Sequence, residues 1–219
     1  MGSDVRLRQL SIFQSDARAC TRCAQHDLLH VDEIHDLARP MVQRHPTGAL
    51  GILVLGEAPN WDDTYDADKG YLTYDADTDP TGRFMRTLLI EEVGLTEAEL
   101  GDVLFTNAVL CLPVEVSGKH RVTRRQIDLC SSWLVRLITD ANVKVVVTMG
   151  ATPLRALNGI ERHRLTLRSG VGKMHAWFGR KLLPLYHAGL LGRVSRKAEQ
   201  QRADIRPLRE FVVRGTTVG

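Results

Sequence analysis

The four cysteines of this chain fall as Cys20-x-x-Cys23, a lone Cys111 and a lone Cys130, which leaves no spare thiol. Four thiolates are what one tetrahedral zinc ion or one iron–sulfur cluster requires. Two cysteines separated by two residues chelate a single centre from one tight turn, so the fold has to carry Cys111 and Cys130 back to the N-terminus to complete it. Two other uses of the thiols compete with this one. Paired disulfides suit a secreted chain, yet residues 1–10 include Asp4, Arg6 and Arg8 and lack the apolar core of a leader. Unrelated core cysteines account for Cys130, in the apolar run 127–134, but leave Cys-x-x-Cys without a reason. A shared metal site is the expectation, and spacing alone does not separate zinc from iron–sulfur.

With 219 residues, 43% of them hydrophobic, the chain can bury one sizeable core. No apolar run approaches the roughly 20 residues that cross a bilayer, so a soluble, cytoplasmic protein without a membrane partner is expected. The net charge of +3 is small, but its distribution is uneven. Acid gathers in 62–79, and the C-terminal stretch carries Arg193, Arg196, Lys197, Arg202, Arg206, Arg209 and Arg214. Such a basic face suits a phosphate backbone, although Glu199, Asp204 and Glu210 also allow it to be a balanced, solvated helix face.

Short apolar, β-branched runs at 51–55, 104–110, 143–148 and 181–186 predict four strands, with Pro184 marking an edge or irregular position in the last. Helical stretches are expected at 82–93, 124–139, 153–157 and 193–212. Strands alternating with helices predict an α/β domain with a central, mainly parallel four-stranded sheet flanked by helices on both faces. Ligands of such sheets bind beyond the carboxyl ends of the strands. That rule points to Glu57, Asn107, Met149-Gly150 and His187. The acidic stretch 62–79 reads as one long loop beside them.

Glu57, in a Gly-Glu-Ala-Pro turn after a strand, suits a carboxylate that orients or activates water, or else a helix cap. Asn107 within an apolar strand needs partners for both halves of its amide; it can read a pyrimidine edge or simply tie down a loop. His187 at a strand tip can steady negative charge on a leaving base, and the following Leu190 and Leu191, on a small-residue loop, can wedge into a duplex. Taken singly, His187 also reads as an ordinary surface histidine.

In order along the chain, the Gly-Glu-Ala-Pro turn, the Thr-Asn-x-x-x-Cys strand, the Val-Thr-x-Gly-Ala turn and the late Tyr-His loop, threaded through four cysteines, resemble the uracil-DNA glycosylase superfamily, specifically its family 4 branch. The likeness covers roughly 18–212, so residues 1–17 read as an N-terminal extension and 213–219 as a tail. The resemblance implies a structural 4Fe–4S cluster held by Cys20, Cys23, Cys111 and Cys130. It implies that Glu57 places or activates the attacking water, that Asn107 bonds the flipped base beside Ala58 and Asn60, and that His187 stabilises the departing anion. Leu190, Leu191, Arg193, Arg196 and Lys197 would then meet DNA. The implied protein is a monomeric DNA glycosylase that leaves an abasic site.

Three departures from the family pattern matter. Asn60 stands where the first motif usually ends in Gly. Asp79-Pro80-Thr81-Gly82 replaces the segment that carries the base-stacking Phe; Tyr71, Tyr74 and Phe84 are the rings that could substitute, and none occupies the matching position. His187-Ala188-Gly189 replaces His-Pro-Ser. These changes, with the acidic loop, point to a pocket for a larger, hydroxyl-rich pyrimidine, such as the glucosylated bases of phage DNA, and hence to antiviral defence as an alternative to repair. His120 follows the Asn-bearing strand, where one branch of the superfamily captures its product, but without that branch's local sequence. A catalytically inactive lesion-binding module and a zinc-stapled hydrolase of free nucleosides are the competing classes.

Overall fold

The computed structural model describes residues 3–28, 40, 42–43, 47–59, 71–72, 79–113, 115–116 and 119–216. The chain opens with helix α1 (Ser3–Arg18), whose Leu10, Phe13 and Ala17 recur at helical spacing and are buried. Strand β1 (Val42–Gln43) pairs with β3 (Tyr71–Leu72) outside the main sheet, and β2 (Ile52–Gly56) lies between them in sequence. Helix α2 (Pro80–Thr87) runs into a π-helical turn, Leu88–Val93, followed by α3 (Glu97–Leu100) and β4 (Leu104–Asn107). A small hairpin of β5 (Glu115–Val116) and β6 (Lys119–His120) precedes the long α4 (Arg124–Asp140). Then come β7 (Val145–Met149), α5 (Ala151–Ala156), α6 (Leu167–Gly170), β8 (His175–Trp177), β9 (Arg180–Leu185), α7 (Leu190–Ser195), α8 (Ala198–Ile205) and α9 (Pro207–Thr216).

The main sheet has the order β4-β2-β7-β9-β8. The first four strands are mutually parallel, as expected, and a fifth, β8, pairs antiparallel with β9 and forms one edge. Its three residues, only one of them buried, are too short to show a periodic signal. Pro184 is consequently not on an edge strand. It lies beyond the end of the β8 ladder, which stops at Leu182, so no strand hydrogen bond is lost on that side.

Both sheet faces are covered, which is why β2 and β7 are buried at every position. The period-two alternation of the pleat sends Leu53, Leu55, Val146 and Leu182 into one core with α1 and α4. It sends Ile52, Val54, Val145, Val147 and Leu183 into the other, against Met85, Leu88 and Leu89 and against Ile205 and Leu208 of α8 and α9. Among the described residues no helix is long and apolar enough to cross a membrane.

Three helices replace the single helix expected over 193–212. The chain turns extended at Arg196 and is interrupted again before Pro207. Helix α8 is strapped to the π-helical turn by charge: Arg202 reaches Glu91 at 2.6 Å and Glu92 at 3.0 Å, and Arg206 reaches Glu92 at 2.9 Å. The Arg206 guanidinium, with Arg202 second, holds the Glu92 carboxyl below the usual carboxylate value of 4.5. A lowered folded-state pKa adds stability that is present above the unfolded value and is lost as pH falls through the folded one. Glu92→Gln is expected to lower unfolding stability by about 1 kcal/mol at pH 7. In urea melts the gap between variant and wild type should close below pH 4.5; a gap independent of pH would assign the loss to packing instead.

Candidate active site and thiol centre

The register of the parallel strands sets Gly56 beside Asn107 and Met149 beside Leu185. Glu57, Gly150 and His187 therefore emerge together, one or two residues beyond the carboxyl ends of β2, β7 and β9. Pairing between the first two strands continues past their ends: Ala108 N–H donates to the Gly56 carbonyl at 2.9 Å and Val109 N–H to the Glu57 carbonyl at 3.0 Å. Asn107 is 4% exposed in this zipped segment, whereas the Glu57 carboxylate is open to solvent.

His187 is held in a defined state. The Gly189 N–H donates to its Nδ1 at 3.0 Å, so the neutral ring carries its proton on Nε2. The residue is exposed, yet the atoms packed around the ring reduce its hydration and lower its pKa, opposed by the Glu57 and Asp79 carboxylates. The loop behind it tolerates no side chain. A Cβ on Gly192 would lie 1.8 Å from the His187 carbonyl oxygen, and one on Gly189 would lie 2.8 Å from Nδ1 and 2.9 Å from Thr81 Oγ1.

That last contact brings the start of α2 into the site. Asp79 caps the helix, its two carboxylate oxygens accepting from Thr81 N–H at 2.9 Å and Gly82 N–H at 2.7 Å. The segment that lacks the expected ring is thus a helix N-terminus presenting a carboxylate and a hydroxyl beside His187. Sequence reading counted Asp79 as the end of the acidic loop and began the helix at residue 82. The missed signal is Asp followed by Pro, an N-cap before a first-turn proline.

The residues expected to meet DNA divide in their surroundings. Leu190 and Leu191 begin α7 instead of lying on a loop, and they are 67% and 86% exposed. Arg193 is half-buried with its guanidinium 5.0 Å over the Phe84 ring, and its Nε is buried without a hydrogen-bond partner among the described residues. Phe84 is covered in this way by a cation. Arg196 forms a two-point ion pair with Asp204 at 2.7 and 2.8 Å. Lys197 is exposed. Asn60, Tyr74 and the stretch 62–70 lie outside the described residues, as do the side chains of Tyr71 and His120.

The cysteines meet. Cys23, Cys111 and Cys130 are buried together with Val109, and Leu28, Ala58, Val122, Ile127 and Leu129 pack around them. Contact with Cys111 is the main cause that pushes the Cys23 thiol up to about 11. Contact with Cys23, then burial, pushes Cys130 up as well. Cys20 stands at the rim, half-exposed, its sulfur accepting from Trp133 Nε1–H at 3.3 Å. Among the described residues no group of three or more His, Cys, Asp or Glu side chains is arranged to hold a metal ion. Ala58, directly after Glu57, is part of the apolar wall, so the turn that carries Glu57 rests on the thiols.

The family model described as the uracil DNA glycosylase superfamily matches residues 43–209, a span that includes Glu57, Asn107, Cys111, Cys130 and His187 but not Cys20 or Cys23. A search of curated proteins finds no match. Members of the matched superfamily are DNA glycosylases, hydrolases that act on DNA. A match over more than half of the chain, on a parallel sheet with these side chains at its strand tips, establishes that the chain belongs to the uracil DNA glycosylase superfamily.

Proposed function

We propose that this protein is a monofunctional DNA glycosylase of the family 4 type, which hydrolyses the N-glycosidic bond of uracil or another modified pyrimidine in DNA. The observation that carries the reading is His187, fixed by the Gly189 N–H as an Nε2–H donor at the strand tips that also bear Glu57 and Asn107. The target nucleotide is extruded from the stack into this site. Glu57 orients a water and takes its proton as the oxygen attacks C1′ of the sugar. The N1–C1′ bond breaks with its electron pair leaving on the base. Neutral His187 donates from Nε2 to the base oxygen where that charge collects, without needing to be charged itself. Asn107, preset in a buried, zipped strand end, reads the base edge. Uptake of a proton by the base leaves an abasic site and an intact strand.

Cys20, Cys23, Cys111 and Cys130 would hold a 4Fe–4S cluster. Three soft sulfur donors in an apolar pocket, with a fourth at its rim that accepts an N–H, are a donor set of the kind such a group takes. The cluster, when bound, supplies a structural crosslink. The residues themselves anchor the Cys-x-x-Cys turn to α4 and support Ala58 beneath the active-site turn.

A second reading concerns the base. Where a stacking ring was expected, Asp79 and Thr81 stand beside His187. A carboxylate and a hydroxyl are partners for hydroxyl groups, which favours a glucosylated pyrimidine and a role against modified phage DNA.

Matched duplexes that contain uracil, plain bases or glucosylated hydroxymethylcytosine, scored for abasic sites by alkaline cleavage, test both readings. Abasic sites at uracil or at the glucosylated base are expected, with losses of about 10²–10⁴-fold in Glu57→Ala and about 10²–10³-fold in His187→Ala. No cleavage of any duplex by wild type would point to a binding module. The pH profile gives an independent check. Protonation of His187 puts a second N–H on Nδ1, facing the Gly189 N–H, so activity should fall as pH drops through a pKa below the ordinary histidine value of 6.5. The Asp79 carboxylate raises that pKa, and Asn can replace it as a cap. Asp79→Asn is therefore expected to move the acid limb to lower pH, and a limb that moves up or stays would show that His187 is not the group observed.

A further inference from the structure

The Cys-x-x-Cys turn is docked by contacts that the reaction does not use. Trp133 lies three residues after Cys130 on α4, so both project from one face of that helix. Its Nε1–H donates to Cys20 Sγ at 3.3 Å. Two guanidiniums lie over its ring, Arg22 at 5.3 Å and Arg136 at 5.7 Å, and Phe13 of α1 meets it edge-on at 6.1 Å. Arg22, the residue before Cys23, is tied back to α4 by its own bonds to Ser132 Oγ at 2.6 Å and to the Leu129 carbonyl at 3.3 Å. Arg136 is anchored by Asp16 at 2.7 Å and Asp140 at 3.2 Å. Both cations over this indole are themselves anchored.

The arrangement addresses the weak point of the centre. Cys23, Cys111 and Cys130 are closed off at 4–5% exposure, and Cys20 alone meets solvent. We propose that Trp133 is the positioning residue of the thiol centre: its indole N–H, on a ring overlaid by Arg22 and Arg136, fixes the Cys20 sulfur, tunes the cluster's reduction potential and shields the centre from oxidants. The inference rests on the cluster reading above. A centre of four thiolates carries net negative charge, which rises on reduction. A hydrogen bond to a ligating sulfur and two nearby cations favour the reduced state and raise the potential. The two cations rest on the indole, so one side chain organises the whole cover.

The test compares purified, cluster-loaded wild type with Trp133→Phe, which keeps the ring and its cation contacts but removes the N–H, and with Arg22→Gln, which keeps the N–H but removes a charge. Iron and acid-labile sulfide per chain, midpoint potential and the rate of visible-absorbance bleaching in ferricyanide are read for each. Trp133→Phe should retain iron, show a more negative midpoint potential and bleach about tenfold faster, the low end of what loss of a supporting partner does to a metal site. Arg22→Gln should shift both quantities in the same direction by less, and it carries the test if Trp133→Phe loses its native circular dichroism. Iron-loaded variants with wild-type potential and bleaching rate would overturn the role of Trp133 and leave the cluster reading intact. Wild type without iron or sulfide would overturn the cluster reading and this inference with it.

Discussion

Two backbone hydrogen bonds past the end of the β2–β4 ladder, from Ala108 to Gly56 and from Val109 to Glu57, decide what the rest of the molecule can do. Buried backbone groups must be paired, and here the pairing makes one rigid unit of the turn that carries Glu57 and the segment that follows Asn107. Val109 is fully buried against the cysteines, and Cys111 comes two residues later. The polar groups at the strand tips and the sulfur cluster are therefore built on the same few residues of chain. Ala58 closes the unit from the other side.

Charge is handled locally. The basic C-terminal stretch looked in sequence like a surface for a polyanion, yet much of it is already compensated: Arg196 by Asp204, Arg202 and Arg206 by Glu91 and Glu92. The pairs of Asp204 and Glu92 are covered on the carboxylate side; their effect is to orient α8 against the π-helical turn and so to seat α7 beside His187. Gln201 of α8 adds a neutral strap, donating to the Arg196 carbonyl at 2.9 Å. What α7 offers to solvent is instead apolar, with Leu190, Leu191 and Val194 all largely exposed.

The features that sequence exposes are those with local causes. Continuous apolar runs mark strands buried on both faces, so β2, β4, β7 and β9 were legible, and with them the rule that pointed to Glu57, Asn107 and His187 at the carboxyl ends of the strands. The meeting of Cys23 with Cys111 and Cys130 was legible because the thiol spacing has few other uses. Strand β8 was not, because three residues with one buried position leave no period. The pairing of Arg202 with Glu91 joins residues 111 apart, and nothing in either stretch announces the other. The role of Asp79 was hidden for the opposite reason: its signal is local but only two residues long, at the end of a run of acid that reads as loop.

Chain order adds a consequence of the way β2 is paired. All four cysteines have been translated by residue 130, when only β2 and β4 of the five-stranded sheet exist. The other neighbour of β2 is β7, and α8 and α9, which cover one face, come last. Until that part arrives, β2 lacks one of its two strand partners. Yet the residues that wall in the sulfurs, Leu28, Ala58, Val109, Val122, Ile127 and Leu129, all precede Cys130. The chain that walls the thiols is thus made before β7, β8 and β9, and the part of the protein that contributes no sulfur adds the remaining strands and the cover of one sheet face.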